Sequence, residues 1–544
     1  MGSIPRTEGG PTKLSQPTAQ TGTTGLPSGK RRRFRPALAV LVVIALLVVG
    51  GAGYAYHLTH GFRRTDVHGL AGALTSGQEA GTENILMAGS TSRCALTVQN
   101  PAYGLCSQGV NGVNSDVIMI LHVDPAHHRV ALLSVPRDLF IPNARSDGAN
   151  KIDAGLYQGL SQLVTAIEDD LGIPIQHAVS LNFDQFANVV DALGGLNMAF
   201  PISVFDAESG LNVRAATCVQ LNGTQALEVV RARHLQYRSS ASGSYAAYWP
   251  QEAQSDLARI RRDHEFLRVL AAAAAKKGLG NPITDINLVG SLKADFTFDQ
   301  SWSVTDMANL LLDFHSVDIN SVPQLTLPVA VVTDPDGAGG GLIYAGAAYG
   351  QVEFPALAAD RAVIDQVLGI AANTDALSGQ ALPSPASVNV SVMNGTGIAN
   401  QAGSTAAALA ALGFHTVGAG DVPVTGDVAE TVVYYGAHAP AAEAAAEAVA
   451  DSMSGSVIIG YDPSKVTYGA QVTVVTGTQF TVALPVAPAG TGSSTSSAPP
   501  TTTAAPGSSS IAAPSAPNSN LAPWDPRACP AGASPTTPVA NPVG

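Results

Sequence analysis

Apolar runs bounded by polar turns recur along the chain from about residue 84. NILMA (84–88), DVIMILHV (116–123) and VALLSV (130–135) are short, β-branched and nearly continuous, the pattern of buried strands. LSQLVTAIEDDL (160–171) and FDQFANVVDAL (183–193) repeat their apolar positions every three to four residues and predict amphipathic helices. This alternation predicts an α/β domain over 84–370. After a linker at 371–385, a second small α/β unit runs over 386–482: strand SVNVSVMN, a helix at 402–412, strand TVVYYG, a helix at 440–453 and strand VTVVTG. A different pattern stands near the start, where Ala37–Tyr56 runs 20 residues without a charge. As a helix it would be about 30 Å long, one hydrocarbon thickness, and it predicts a transmembrane helix.

Charge gives that run a direction. Residues 1–60 hold seven Lys/Arg against one Glu, although the 544-residue chain carries a net −13. Lys30, Arg31, Arg32, Arg33 and Arg35 immediately precede the apolar run, so residues 1–36 are expected as a disordered cytoplasmic tail. Residues 37–56 then form a plasma-membrane signal anchor, 57–83 a juxtamembrane linker, and the rest lies outside the membrane. Outside, cysteines can oxidise. Cys94 and Cys106 are close enough to staple a loop, leaving Cys218 for Cys529, although four cysteines allow three connectivities. Residues 483–544 are Pro, Ser, Thr, Ala and Gly with almost no charge, and are expected to be a disordered tail.

The acidic balance argues against a nucleic-acid partner, because phosphate backbones are held by counted cations. Any anion site must therefore be local. Seven of the 21 Lys/Arg after residue 60 fall within 231–268: Arg231, Arg233, Arg238, Arg259, Arg261, Arg262 and Arg268. In VRARH, Arg231 and Arg233 lie two apart, on one side of an extended segment or at a helix end, where two guanidinium forks can grip one anion. In DLARIRRDHEFL, Asp256, Arg259 and either Arg262 or Asp263 share a helical face. Arg137 follows strand VALLSV in the turn PRD, at a strand carboxyl end where open α/β sheets place ligands. Asp116 opens the strand DVIMILHV, as a turn acid or a hard-cation ligand. No phosphate-binding G-x-x-x-x-G-K-[ST] loop, G-x-S-x-G elbow or H-E-x-x-H helix is present. In the second unit, MNGTG (Asn394, Gly395, Gly397) reads as a plain strand-to-helix turn.

Together these segments resemble the LytR-CpsA-Psr (LCP) family of cell-wall glycopolymer ligases. NILMAGSTSR, NSDVIMIL, VALLSVPRDLFIP, KIDAGLYQG, FDQFANVVDALGGLNMAF, LNGTQALEVVRARH and DLARIRRDHEFL follow in the family's order across 84–270. SVNVSVMNGTGIANQAGSTAAALAALGF resembles the LytR C-terminal domain appended in actinobacteria. The resemblance implies an α-β-α sandwich with a mixed central sheet, and an extracytoplasmic phosphotransferase. Its donor would be a glycopolymer on a polyprenyl-pyrophosphate carrier, its acceptor peptidoglycan, and its polymer, on actinobacterial composition, arabinogalactan.

Carried over residue by residue, the resemblance puts Arg137, Arg231, Arg233 and Arg259 on the pyrophosphate, with Arg262 beside them, and Asp116 on Mg2+. Asp256 would orient Arg259 or the acceptor hydroxyl. The sequence departs from the family at two places. Thr91 stands where a second magnesium-binding Asp is usual, and Asp263 stands where a Gln commonly ends the arginine helix, as a replacement metal ligand or a base. A hydrolase using the same arginines with water, or a nonenzymatic wall-binding or regulatory protein, are the alternative readings.

Overall fold

The structure is a computed structural model that describes residues 63–72, most of 81–276, most of 296–482, and 521–536. Ala37–Tyr56 lies outside the described residues; among those described, no helix is long and apolar enough to cross a membrane. Residues from Leu58 onward form one compact unit.

Its centre is a seven-stranded mixed sheet. The strands are β1 (Arg63–Thr65), β2 (Glu83–Ser90), β3 (Ser115–Asp124), β4 (Arg129–Ser134), β5 (His177–Leu181), β8 (Thr297–Asp299) and β9 (Gln324–Thr326), in the order β1-β8-β5-β2-β3-β4-β9. β3 runs antiparallel between β2 and β4, while β5 runs parallel to β2. β2 and β3 supply Leu86, Ile118 and Ile120 to a buried layer that also holds Leu163 and Ile167 of helix α1 (Leu160–Leu171). The apolar runs read from the sequence are thus the strands that bury, and the helix covers them.

A second layer carries the residues of interest. Helix α2 (Phe183–Ala192) and helix α3 (Gly223–Arg231) both begin with a reciprocal capping box, Asn182 with Gln185 and Asn222 with Gln225. α3 starts against α2 so closely that a Cβ on Gly223 would lie 2.1 Å from the Ala187 carbonyl oxygen; only glycine fits. Helix α4 (Ser255–Lys276) follows. Strands β6 (Leu196–Phe200) and β7 (Thr217–Leu221) pair antiparallel beside these helices. Between α2 and β6, Gly194 and Gly195 turn the chain with φ of 86° and 85°.

In the second module the sheet order is β11-β10-β14-β12-β13, with β10 (Asn389–Asn394), β11 (His415–Asp421), β12 (Thr431–Tyr435), β13 (Val457–Tyr461) and β14 (Val472–Thr476), backed by helices at Gln401–Ala411 and Pro440–Ala450. It is not a separate bead: Val432 and Ile458 lie in the same apolar cluster as Ile141 and Ile167. The Asn394 side chain accepts from the Thr396 and Gly397 amides, making MNGTG a self-contained turn.

Part of the stretch expected to be a disordered tail is built into the fold. Arg527–Ala528 forms strand β15, antiparallel to β6, and Cys529 is bridged to Cys218. Low charge and abundant Pro describe the stretch as a whole, but WDPRAC contains an aromatic ring, charges and a cysteine, enough to anchor a short segment to a preformed surface. The other bridge joins Cys94 to Cys106.

Candidate functional site

Antiparallel pairing brings two strand ends and one strand start to the same edge of the sheet. β2 ends beside Thr91, β3 begins at Ser115–Asp116, and β4 ends at Ser134, immediately before Pro136, Arg137 and Asp138. The hairpin Phe140–Arg145/Gly148–Lys151 then returns Lys151 and Asp153 to the same place, with the Asp153 amide donating to the Arg137 carbonyl at 3.2 Å. α3 ends at Arg231, and Ala232 leaves helical geometry with ψ of 111°, so Arg233 projects from an extended turn. α4 contributes Asp256, Arg259 and Asp263 from its first turns. The Ser134 hydroxyl, 2.7 Å from His264 Nε2, ties that helix to the end of β4.

One carboxylate oxygen organises the cluster. Asp256 Oδ1 lies 3.1 Å from Arg259 Nη2, 3.3 Å from Arg233 Nε and 3.5 Å from Arg137 Nε. Asp138 braces the same cations: Oδ2 is 3.3 Å from Arg233 Nη2 and 3.4 Å from Arg137 Nε, while Oδ1 accepts from Lys151 Nζ at 2.8 Å. Arg137 Nη1 also pairs with Asp116, and Arg259 Nη2 donates to the Asp116 carbonyl at 2.7 Å. Arg231 and Arg93 flank one aromatic ring, their guanidinium carbons 4.9 and 5.4 Å from the centroid of Phe183.

The electrostatics favour an anion. Burial would raise the Asp116 carboxyl, but Arg137, Arg259 and Arg233 outweigh it and hold the group below the usual carboxylate range. Burial likewise opposes Arg137, Lys151 and Arg233 at Asp138, and again the cations win. Arg233 is pulled down by burial and by Arg137 and Arg259, with Asp256 and Asp138 offsetting part of this. An arginine does not lose its proton, so that shift reports first the cost of burying a guanidinium and then its closeness to other cations. An entering pyrophosphate would offset the latter. Two further acids are held closer to neutral. Burial lifts Asp153 to about 6 against the pull of Arg137, and lifts Asp263 to about 7 against Arg259 and Arg262. A cavity of about 420 Å³ opens beside Arg137, lined also by Asn114, Asp138, Lys151, Asp153 and Tyr349.

Of the residues singled out in the sequence, Arg137, Arg233, Arg259, Asp116 and Asp256 lie together, with Arg231 at the Phe183 edge. Arg262 does not. It is completely buried, pairs with Glu252 and donates to the Ala232 carbonyl, because its place on α4 faces away from Asp256 and Arg259. Asp263 is buried under Arg259, with Oδ2 3.8 Å from its Nε. Arg93, Asp138, Lys151, Asp153 and Phe183 were not singled out for the site. Asp138 had a visible signal as the third residue of PRD; the others depend on which loops meet.

The donors at the expected magnesium position are Asp116 and Thr91. Asp116 is engaged by a guanidinium, and Thr91 is buried with its hydroxyl accepting from the Asn114 amide at 3.1 Å. Among the described residues, no group of three or more His, Cys, Asp or Glu side chains is arranged to hold a metal ion. A hard divalent cation needs several oxygens, and the ionised carboxylates here, Asp116, Asp138 and Asp256, are each already paired with arginines. By themselves these residues do not fit magnesium.

Comparison with known proteins adds an independent line. Residues 60–353 match the profile of the LytR_cpsA_psr family, and residues 387–480 match that of the LytR cell envelope-related transcriptional attenuator. A probable cell wall biosynthesis protein, LcpB, of Corynebacterium glutamicum is 30% identical over 260 residues, 47% of this chain and 56% of that protein. The chain therefore spans little more than half the length of that relative. The cell wall biosynthesis protein LcpA of the same organism is 26% identical over 471 residues, 78% of this chain and 83% of that one. TagU of Bacillus subtilis, a polyisoprenyl-teichoic acid–peptidoglycan teichoic acid transferase, is 24% identical over 277 residues, 49% of this chain and 80% of that one.

Proposed function

The chain belongs to the LytR_cpsA_psr family, and from that premise we propose that it is a membrane-anchored, extracytoplasmic phosphotransferase. Its donor is a glycopolymer carried on polyprenyl pyrophosphate, and its acceptor is peptidoglycan. The observation that carries this reading is the convergence of Arg137, Arg233 and Arg259 on Asp256 Oδ1, within 3.5 Å. Three guanidiniums on one oxygen form a preorganised cradle, since their positions are fixed before an anion arrives.

In this reading the pyrophosphate displaces part of the guanidinium–carboxylate contact, with Arg231 and Arg93 adding charge from the Phe183 side. An acceptor hydroxyl oxygen forms a bond to the sugar-bearing phosphorus as the bridging P–O bond breaks, and polyprenyl phosphate leaves. Asp256 is pinned by three cations and serves to orient them. Asp153 lines the cavity beside Arg137, and its pKa of about 6 suits it to accept the hydroxyl proton. The arginines supply the charge neutralisation, and no step is routed through a metal.

The naming of Corynebacterium and Bacillus relatives for cell-wall biosynthesis and teichoic acid transfer supports the substrate class. An arabinogalactan-type polymer is the member of that class we favour, because the two Corynebacterium relatives are actinobacterial. Incubating the detergent-solubilised full chain with lipid-linked donor and peptidoglycan tests the proposal: a covalent conjugate and polyprenyl phosphate are expected. Release of polymer phosphate without conjugate would make the protein a hydrolase.

A further inference from the structure

We propose that residues 521–536 form a strap belonging to the catalytic lobe, and that its Asp525 is a positioning residue for the Arg231–Arg233 turn, acting through Arg262. The strap is closed over a sequence separation of 311 by the Cys218–Cys529 bridge. Backbone pairing holds it on both sides of that bridge: Arg527 and Ala528 lie opposite Ala199 and Met198, and the Thr536 amide donates to the Cys218 carbonyl at 2.9 Å. Trp524 stacks face to face on Tyr237, centroids 3.8 Å apart, and its Nε1 donates to Glu252 Oε2 at 3.0 Å.

Between Trp524 and the bridge, Asp525 is completely buried. Arg261 grips it with Nε at 2.6 Å and Nη2 at 3.3 Å, and Arg262 Nη1 lies 3.7 Å away. The set is therefore balanced, Arg261 and Arg262 against Glu252 and Asp525, with Arg262, Glu252 and Asp525 buried and Arg261 partly exposed. Without Asp525 the buried Arg262 shares one carboxylate with Arg261, which low-dielectric surroundings penalise. Glu252, already 3.5 Å from Arg261 Nη2, would then be the one acid left between the two arginines. Arg262 is also the group that donates to the Ala232 carbonyl, and Ala232 separates Arg231 from Arg233. A chain of contacts thus runs Asp525, Arg262, Ala232, and ends between two of the proposed pyrophosphate ligands. None of those contacts touches the site itself. The ligand-binding half of this inference rests on the proposed function; the positioning half does not.

The test compares full-length wild type, Asp525→Asn and Asp525→Glu by two readouts. Hydrogen exchange over 231–238 reports the turn directly: Asp525→Asn is expected to exchange at least tenfold faster there than wild type, and Asp525→Glu to restore most of the protection. Titration with a short-chain polyprenyl-pyrophosphate sugar reports the site: the Kd of Asp525→Asn is expected to rise about tenfold with the Cys218–Cys529 bridge still formed. Unchanged exchange at 231–238 overturns the proposal whether or not the ligand binds. Unchanged affinity with faster exchange overturns the link to the site and leaves a structural strap. Wild type that fails to bind the sugar pyrophosphate counts against the proposed function instead. Should Asp525→Asn not fold, the Cys218→Ser/Cys529→Ser pair frees the strap while keeping Asp525, and the same exchange measurement decides.

Discussion

Each charged side chain in the site is defined by what it would leave behind if removed. Arg137 touches Asp116, Asp138 and Asp256, so Arg137→Ala removes a proposed pyrophosphate ligand and takes the paired guanidinium from Asp116. Transfer is expected to fall about 10²–10³-fold in kcat/KM, and Arg137→Lys should not restore it, because an ammonium cannot span three acceptors as a planar fork does. Asp263 gives a pH signature. Burial raises its folded pKa from 3.8 to about 7, so it is neutral below that pH and a carboxylate above it. The stability linked to its protonated form is fully present below about 4 and lost as pH rises through 7. The same ionisation places a negative charge beside Arg259, so affinity for a pyrophosphate diester, which does not itself titrate there, should decline through pH 7. Titrating Asp263→Asn across pH 6–8 should show no such inflection. Because the donor set does not fit magnesium, transfer in EDTA should stay within about twofold of the untreated rate; a loss reversed by magnesium would show that substrate phosphate completes a metal site. Arg137, Arg233 and Arg259 were legible in sequence through their ordered motifs. Arg262 was not, since helical spacing groups it with Arg259 but does not reveal that a segment 260 residues later covers that side.

Secondary elements were read most securely where hydrophobic period and end signals agree. The runs at 116–123 and 130–135 became β3 and β4, and LSQLVTAIEDDL became α1 over the same residues. Short strands, such as the pairs flanking residues 206–211, have too few residues for a period to show. α4 illustrates the harder case: one side carries Asp256 and Arg259 to the site, another carries Arg261 and Arg262 to the strap, and Phe266 and Val269 enter an apolar cluster. Such a helix has no single polar face to read. α3 delivers Arg231 and depends on its capping box, so Asn222→Ala is expected to cost about 1 kcal/mol, visible as a lower urea midpoint, without altering the arginine contacts.

At the scale of the molecule, the sequence reads as two folded segments and does not show how firmly they merge. Asn143 exchanges two hydrogen bonds with the Tyr461 backbone, at 2.8 and 3.0 Å, and Arg361 pairs with Glu447 across the same contact. That contact buries acids. Burial raises Asp169 from 3.8 to about 6, with His438 and Tyr435 pulling it back, and drives Asp170 and Glu430 well above their usual range. A raised acid contributes stability below its unfolded pKa that is lost as pH climbs through the folded value. The urea midpoint should therefore fall between pH 4 and 7, and Asp169→Asn should flatten part of that slope. Topology carries the last consequence. The lobe proposed to bind the donor begins near residue 63 and is bridged to Cys529, with an entire module lying between. If the chain is exported as proposed, its sheet can be laid down early, yet the arginine turn gains this brace only when residues 521–536 have folded back and Cys529 has oxidised. The proposed activity would then lag behind export.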